Sequence, residues 1–157
     1  MSEAGLRGDE GLDRLVAWGR ARAPRRALDV AGGGHPALAV TVGCAVRFVT
    51  GDVGALPFDN GAFDLVTCRL AAHRFPNTAL AVREIQRVLA PGGSFLVAEP
   101  LAHDDDATAA RAHGTYRRPE WHAFLRAAGL TVMEEETISA SAAPSTDRLI
   151  LIRAEKD

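Results

Sequence analysis

The chain has 157 residues, a formal net charge of −2 and an apolar content of 47%. This length suits one domain with a substantial core. The slightly acidic balance argues against a nucleic-acid partner, because a protein that binds a phosphate backbone needs a concentrated basic face. No apolar run approaches the roughly 20 residues that span a bilayer. We therefore predict a single cytoplasmic domain over residues 1–157, frayed over 1–10, with no membrane partner.

The first predicted helix precedes the first predicted strand. Its apolar and small residues recur at helical spacing: Leu12, Leu15, Val16 and Gly19. Pro24 ends this helix, and the strand that follows covers Ala27 to Val30. Glycines occupy positions 32–34, and because glycine has no Cβ they allow the backbone to turn sharply.

The segment Leu28–His35 is typical of a buried strand that ends in a glycine turn. Such a turn, followed by a helix from about Pro36, directs backbone N–H groups and the positive end of a helix dipole at one point, which suits a nucleotide or another polar ligand. Asp29 lies among apolar residues and therefore needs a hydrogen-bond donor. Asp52 stands at the spacing of the acid that binds ribose in nucleotide-binding βαβ units. The alternative is a plain structural turn.

The rest of the chain alternates strands and helices and ends in a hairpin. Further strands are predicted over Val46–Thr50, Phe63–Cys68 and Ser94–Ala98, and further helices over Pro36–Gly43, Asn77–Leu89 and Pro119–Gly129. Leu130–Thr137 and Arg148–Ala154 are close enough in sequence to pair antiparallel. This order predicts an α/β fold with a mostly parallel sheet, helices on both faces and a C-terminal antiparallel hairpin.

Ligands of parallel sheets bind beyond the carboxyl ends of the strands. The glycine loop, Asp52 and the segment after Cys68 follow three different predicted strands. We therefore expect them to converge on one edge of the sheet.

Several motifs occur in a characteristic order: LDVAGGG (28–34), GDVGALPF (51–58), FDLVTCRLAAHRF (63–75), EIQRVLAPGG (84–93) and WHAFLRAAGL (121–130). Together they resemble class I S-adenosylmethionine-dependent methyltransferases, and most closely the small-molecule branch that includes the quinone-biosynthesis C-methyltransferases. Motifs in the right order are more specific than any one of them. The resemblance covers about residues 27–137 and implies a Rossmann-like fold.

The resemblance implies S-adenosylmethionine as the cofactor and a small molecule as the methyl acceptor. It implies that the loop borders the methionine part of the cofactor through Asp29, Ala31, Gly32, Gly33 and Gly34. Asp52 and Val53 would lie by the adenine, and Arg69 to His73 would line the cleft near the methyl group. The segment from Glu99 to Arg118 would face the acceptor.

The chain departs from the family pattern after the glycine loop. Members usually carry a longer helix, a strand that ends in a ribose-binding acid and another helix before the Gly-Asp motif, whereas only Pro36–Ala45 is available here. We therefore predict a sheet shortened by one β-α unit. His35 also stands where the pattern favours glycine.

Two arrangements follow from this deletion. If the strand Val46–Thr50 moves beside the first strand, Asp52 could take over the ribose contact. If the strand keeps its family position, a gap opens in the sheet, and a second subunit could cover the exposed edge. The second arrangement predicts a homodimer.

His73 is the candidate general base, because it follows the third strand at the cleft edge and histidine titrates near neutral pH. The alternative is a histidine that only lines or caps the cleft. Tyr116, Arg117 and Arg118 could contact an anionic acceptor, although arginines just before a helix are more often surface charge. Trp121, Phe124 and Leu125 are predicted as core.

A polar segment contains possible metal ligands: His103, Asp104, Asp105, Asp106 and His113. Their spacing matches no closed site, so we predict a solvated loop and no metal. Cys44 and Cys68 belong to no CxxC or CxxH pair and are predicted to be reduced, buried thiols.

The sequence is compatible with two functions of different classes. The first is methyl transfer from S-adenosylmethionine to a small molecule. The second is a methyltransferase fold that has lost catalysis and serves as a binding or interaction module. A nicotinamide-linked oxidoreductase is disfavoured, because the chain lacks a second domain and a G-x-G-x-x-G loop.

Overall fold

The computed structural model of the protein describes residues 10–30, 49–102, 114–139 and 148–157. In these ranges the strands are β1 (Ala27–Asp29), β2 (Phe63–Arg69), β3 (Leu89–Pro100), β4 (Leu130–Ser139) and β5 (Arg148–Lys156). The helices are α1 (Glu10–Ala21), α2 (Thr78–Val88) and α3 (Arg118–Ala127), with a short 3₁₀ helix at Ala72–Arg74. None of the helices in this part of the chain is long and apolar enough to cross a membrane.

The described strands form one sheet in the order β1-β2-β3-β5-β4. The β1-β2 and β2-β3 pairs are parallel, whereas β3-β5 and β4-β5 are antiparallel. The predicted parallel sheet with a C-terminal antiparallel hairpin is thus confirmed. The predicted helix Pro36–Gly43 and residues 46–48 of the predicted second strand lie outside the described ranges. Val49 and Thr50 are described, and they carry no strand pairing.

Helices cover both faces of the sheet, as predicted. On one face, Leu15 of α1 is fully buried against side chains of β2, β3 and β5: Leu65, Leu96, Ala98 and Leu151. On the other face, α2 and α3 bury Ile85, Val88, Trp121 and Leu125 against the opposite side of the same strands. Successive strand residues such as Leu96 and Val97 therefore belong to different core clusters, which is the alternation expected of a sheet covered twice.

Both ends of α2 agree with the sequence to within one residue, but the start of the next strand does not. Asn77 is the N-cap, as predicted, and its side chain accepts a hydrogen bond from the Leu80 N–H at 3.0 Å. The next strand begins at Leu89 rather than at Ser94, because Leu89 pairs with Phe63 of β2. The Pro91–Gly93 segment therefore lies within β3 as an irregular stretch, with Gly92 at a φ of +73°.

The start of α3 is closed by a reciprocal pair of hydrogen bonds: the Arg117 N–H donates to Glu120 Oε2 at 2.9 Å, and the Glu120 N–H donates to the Arg117 carbonyl at 3.1 Å. Pro119 occupies the first turn. Trp121 and Phe124 meet the ring of Tyr116 edge-to-face, with centroids 5.9 and 4.8 Å apart. Trp121 and Leu125 are buried and Phe124 packs against them, so the predicted core role of these residues is confirmed.

Candidate active site at the carboxyl edge of the sheet

The carboxyl ends of β1, β2 and β3 lie side by side. Asp29 pairs in register with Thr67, and Arg69 pairs with Ala98, which immediately precedes Glu99. This register brings Asp29, the segment after Cys68 and Glu99 to one edge of the sheet. Of the three expected members, the segment after Cys68 lies at this edge, whereas the glycine loop lies outside the described ranges.

Asp29 has the hydrogen-bond donor that its apolar surroundings require. The Thr67 hydroxyl on the neighbouring strand donates to Asp29 Oδ1 at 2.9 Å. Burial raises the pKa of Asp29, and the Thr67 hydrogen bond offsets part of that rise. Desolvation thus disfavours the charged form of this carboxylate, as is common for functional acids.

Cys68 is a free, buried thiol near the end of β2, in agreement with the sequence prediction. Burial raises its pKa well above the ordinary value, and the charges of Glu99 and Asp29 raise it further. The thiol is therefore a packing group and not a nucleophile at neutral pH. Its environment also shows that two carboxylates lie around this end of the strand.

The chain leaves β2 through a strained residue. Leu70 has a φ of +51°, a region that residues with a side chain rarely adopt, and its N–H donates to the Ala98 carbonyl at 2.8 Å. The turn that follows leads directly into the 3₁₀ helix at Ala72–Arg74. Strain of this kind persists only where surrounding contacts hold the backbone in place.

Glu99 supplies those contacts. The residue is 1% exposed, and its Oε1 accepts hydrogen bonds from the N–H groups of Ala71 and Ala72 at 2.6 and 2.7 Å. Its Oε2 lies 3.0 Å from His73 Nδ1 and 3.4 Å from the His73 N–H. The resemblance placed Glu99 at the start of an acceptor-facing segment, but the structure places it inside β3 with its side chain buried. An acid directly after a run of apolar strand residues, the pattern already seen at Asp29, is the sequence signal for this position.

His73 is held from two sides. Glu99 faces its Nδ1, and the backbone of Gly114 lies against its carbonyl group. A Cβ at Gly114 would overlap the His73 carbonyl oxygen, and the φ of +69° at Gly114 also favours glycine. The imidazole is still 30% exposed, so a ligand in the cleft can reach it.

Asp52 lies in a tight turn near the amino end of α2. Its Oδ1 accepts a hydrogen bond from the Gly54 N–H at 2.8 Å, and the residue is exposed. The adjacent Val53 packs against the main core cluster. The contacts of Asp52 in the described part of the chain are local, so no direct contact links this residue to Asp29 or His73.

Two charged residues of α2 that the sequence analysis did not single out hold the loop after Asp52. Glu84 accepts a hydrogen bond from the Leu56 N–H at 2.8 Å. Arg87 donates to the carbonyls of Leu56 and Phe58 at 2.9 and 2.8 Å, and it also pairs with Glu84. The i, i+3 spacing of Glu84 and Arg87 predicts that they pair, but only the structure shows that they bind this loop.

The remaining candidates divide into described and undescribed residues. Arg69 is partly buried, and desolvation lowers the pKa of its guanidinium. Outside the described ranges lie Ala31, Gly32, Gly33, Gly34 and His35, together with the possible metal ligands His103, Asp104, Asp105, Asp106 and His113. The residues that are described contain no group of three His, Cys, Asp or Glu side chains that could hold a metal.

The residues proposed for an anionic acceptor are engaged within the protein. The Tyr116 hydroxyl lies 3.1 Å from Thr78 Oγ1. Arg117 pairs with Glu120, and Arg118 pairs with Glu135 at 2.6 Å. The pairing of Arg117 and Arg118 with carboxylates of the protein supports the interpretation of these two arginines as surface charge.

The described edge fits a positively charged ligand. Asp29 and Glu99 place two carboxylates around the end of β2, and both act on Cys68 electrostatically. A sulfonium or ammonium group beside the Asp29 carboxylate would be attracted to it. This carboxylate is thus compatible with the cationic methionine part of S-adenosylmethionine.

Comparison with known proteins agrees with this geometry. The profile of a family described as a methyltransferase domain matches residues 16–97, more than half of the 157 residues. The chain is 36% identical over 123 residues to the uncharacterized methyltransferase YcgJ of Bacillus subtilis, in an alignment that covers 61% of this chain and 49% of that protein. The chain therefore spans about half the length of this curated relative.

Solved structures show the same fold. A putative methyltransferase from Bacillus halodurans superposes with a TM-score of 0.75 at 21% identity, covering 92% of this chain and 98% of that one. A Burkholderia thailandensis 1,6-didemethyltoxoflavin N1-methyltransferase, with 1,6-didemethyltoxoflavin and S-adenosylhomocysteine bound, gives 0.69 at 18% identity, covering 99% and 82%.

Proposed function

Because the chain belongs to the family of methyltransferase domains, we propose that it transfers a methyl group from S-adenosylmethionine to a small-molecule acceptor. The reaction takes place at the joint carboxyl edge of β1, β2 and β3. The observation that carries this proposal is the placement of Asp29 and the Glu99–His73 pair at that edge. The structural neighbour with bound 1,6-didemethyltoxoflavin supports a small-molecule acceptor.

The cofactor-binding residues are those of the first and second motifs. Asp29, the loop residues Ala31, Gly32, Gly33 and Gly34, and Arg69 hold the methionine side, and Asp52 and Val53 hold the adenosine side. Asp29 is supported by its raised pKa, which indicates a carboxylate kept in a desolvated position. Asp52 is supported by its exposed carboxylate in a loop that Glu84 and Arg87 fix to α2.

S-adenosylmethionine supplies an electrophilic methyl group on a sulfonium. The protein contributes alignment of the acceptor and exclusion of water, which together lower a barrier by up to about 7–11 kcal/mol. His73 takes up the proton that the acceptor releases, a role typically worth about 10²–10⁴-fold in rate. Its partly exposed imidazole at the cleft edge supports this role.

Calorimetric titration with S-adenosylhomocysteine tests the cofactor site. We expect micromolar binding by the unaltered protein. Asp29→Asn should weaken it about ten- to a hundredfold, which corresponds to the loss of a hydrogen bond to a charged group. Asp64→Asn is the matched control, because Asp64 lies at the opposite end of β2 and accepts hydrogen bonds from the backbone N–H groups of Arg25 and Arg26. Equal affinity of all three proteins would contradict the assignment of Asp29.

We further propose that the chain lacks one β-α unit of the family between the glycine loop and Asp52. The alignment with YcgJ supports this, because it runs over 123 residues yet covers only 61% of a 157-residue chain. The alignment therefore contains positions for which this chain has no residue.

The same observation favours a second candidate function, a binding module that has lost catalysis. Absence of heat and of any thermal shift at millimolar S-adenosylhomocysteine would favour that candidate.

The third proposal is a homodimer. Within the described part of the chain, β1 is hydrogen-bonded to β2 and has no strand on its other side. An edge strand of a parallel sheet with an unpaired backbone is a surface that a second subunit can cover. The shortened cofactor half supports the same arrangement.

A further inference from the structure

The Glu99 carboxylate is surrounded by N–H groups. Its Oε1 accepts from two backbone N–H groups, those of Ala71 and Ala72, at 2.6 and 2.7 Å. Its Oε2 faces the His73 N–H and the His73 Nδ1. An ionised carboxylate can only accept hydrogen bonds, so the proton of the Glu99–His73 contact belongs to Nδ1.

This contact determines the chemistry of the second ring nitrogen. A neutral imidazole carries one proton, and when that proton is on Nδ1 the Nε2 atom has a free lone pair. We propose that Glu99 is a positioning residue that holds His73 in the Nδ1–H tautomer, with Nε2 available to accept a proton. The consequence for catalysis rests on the proposed methyl transfer, whereas the tautomer itself does not.

The proton balance of the step needs no further reactant. The acceptor loses its proton to His73 Nε2, a bond forms between the acceptor atom and the methyl carbon, and the electron pair of the broken carbon–sulfur bond returns to sulfur. The resulting imidazolium carries a proton on each nitrogen. Its Nδ1–H remains hydrogen-bonded to Glu99, whose negative charge stabilises it.

A second histidine–glutamate pair in the same chain offers a contrast. His122 on α3 faces Glu135 on β4 through Nε2 rather than through Nδ1. The same reasoning gives His122 the Nε2–H tautomer. The two histidines should therefore differ within one sample, and His122 serves as an internal standard for His73.

Nitrogen-15 NMR of the imidazole rings tests the proposal on the unaltered protein. The spectrum is recorded at a pH at which the rings are neutral, and the His73 signals are assigned by their loss in His73→Asn. We expect His73 to be mainly Nδ1–H and His122 mainly Nε2–H. A mainly Nε2–H tautomer for His73 would overturn the proposal, and this result does not depend on any variant of Glu99.

The tautomer and the kinetic constants of Glu99→Gln provide a more specific test. The amide oxygen has to face the Ala71 and Ala72 N–H groups, so the amide NH₂ is directed at His73 Nδ1. An NH₂ donor requires an unprotonated Nδ1, and the tautomer should change to Nε2–H. We expect kcat to fall about a hundredfold or more, whereas KM for S-adenosylmethionine changes less than about twofold.

Glu135→Gln is the matched control. It makes the same chemical change at the other histidine–glutamate pair, so it should leave both the His73 tautomer and methyl transfer unchanged. A Glu99→Gln protein that keeps the Nδ1–H tautomer would contradict the proposal. So would a Glu99→Gln protein whose kcat and KM change only as much as those of Glu135→Gln. An Nδ1–H tautomer in an unaltered protein that transfers no methyl group would support the positioning role and refute the proposed function.

Discussion

The two carboxylates of the candidate site, the buried Glu99 and the half-buried Asp29, differ in how their charge is compensated. Glu99 faces backbone N–H groups and an imidazole nitrogen. Within the described ranges, the Asp29 carboxylate accepts a hydrogen bond from one hydroxyl, that of Thr67. Hydrogen bonds from N–H groups compensate a desolvated charge, whereas one hydroxyl does so only in part. Glu99 therefore stabilises the local structure, and Asp29 costs stability.

The pH dependence of stability should show the cost of Asp29. Burial raises the pKa of Asp29 in the folded protein, so between the unfolded value of about 3.9 and the raised value the folded state binds more protons. Stability then falls as the pH rises through this window and stays lower above it. We expect Asp29→Asn to be more stable at pH 7 by about 1 kcal/mol, which raises Tm by roughly 2–4 °C.

Thermal unfolding between pH 4 and 7 checks this expectation. Asp64→Asn should instead lower Tm, because an amide oxygen accepts weaker hydrogen bonds than a carboxylate from the backbone N–H groups of Arg25 and Arg26. A lower Tm for Asp29→Asn at pH 7 would show that desolvation of this carboxylate is not the dominant effect.

At the scale of the secondary-structure elements, the sequence predicts both ends of α2 but misses the early start of β3. Asn77 is recognisable because an N-cap needs only its own helix. The start of β3 at Leu89 is set by distant groups: Phe63 pairs with Leu89, and the Lys156 ammonium binds the Gln86 and Leu89 carbonyls at 2.9 and 2.8 Å. Partners so far away in the sequence leave no local signal.

The end of α1 provides a test of backbone strain. Ala23 follows this helix with a φ of +45°, and its side chain is exposed. Glycine adopts this conformation without the steric cost of a Cβ. We expect Ala23→Gly to stabilise the protein by about 1 kcal/mol in chemical denaturation. Ala21→Gly is the matched control within the helix and should destabilise by about 0.5–1 kcal/mol. Destabilisation by both substitutions would contradict this explanation.

The loop that carries Asp52 depends on α2. Arg87→Met leaves the carbonyls of Leu56 and Phe58 without their donor, at an expected cost of about 1–3 kcal/mol. We also expect weaker binding of S-adenosylhomocysteine, because the loop loses its attachment. Arg83→Met on the exposed face of the same helix should change stability by less than about 0.5 kcal/mol. Unfolding and calorimetry measure both effects, and identical behaviour of the two variants would refute the role of Arg87.

At the scale of the whole molecule, each face of the sheet combines an apolar core with ion pairs between a helix and the strands. Under α2 and α3 the apolar cluster is accompanied by the pair between Arg118 and Glu135 at 2.6 Å. The face under α1 combines the buried Leu15 with ion pairs from Arg14 to Glu136 at 2.6 Å and from Arg22 to Glu155 at 3.0 Å. Exposed ion pairs contribute little, so packing of Leu15 fixes α1 and the charges set its orientation.

The alternation of strands and helices was enough to predict this architecture, because each element has its own periodic signal. The motif order was likewise enough to predict the family. The sequence marks Glu99 as an acid at the end of an apolar strand, but it does not reveal the partners of this residue, since Ala71, Ala72 and His73 lie 26 to 28 residues away in the chain. A polar residue at a strand end looks the same in sequence whether it faces solvent or the interior.

The proposed homodimer belongs to this scale. Light scattering after size exclusion should give twice the 16.7 kDa mass of the chain. The physical reason for this expectation is that β1 has no strand on its outer side within the described residues, and a second subunit can cover such an edge. A monomer mass at high protein concentration would refute the dimer and would indicate that residues of the chain itself cover β1.

Lys156 has a practical consequence for work with this protein. It is the only lysine in the sequence, and its ammonium holds the end of α2 through the Gln86 and Leu89 carbonyls. Acylation would remove the charge and leave a single N–H donor in place of three. Fluorescent labelling or sensor immobilisation through side-chain amines would therefore modify the molecule at this one helix end, and coupling through another chemistry preserves the native fold.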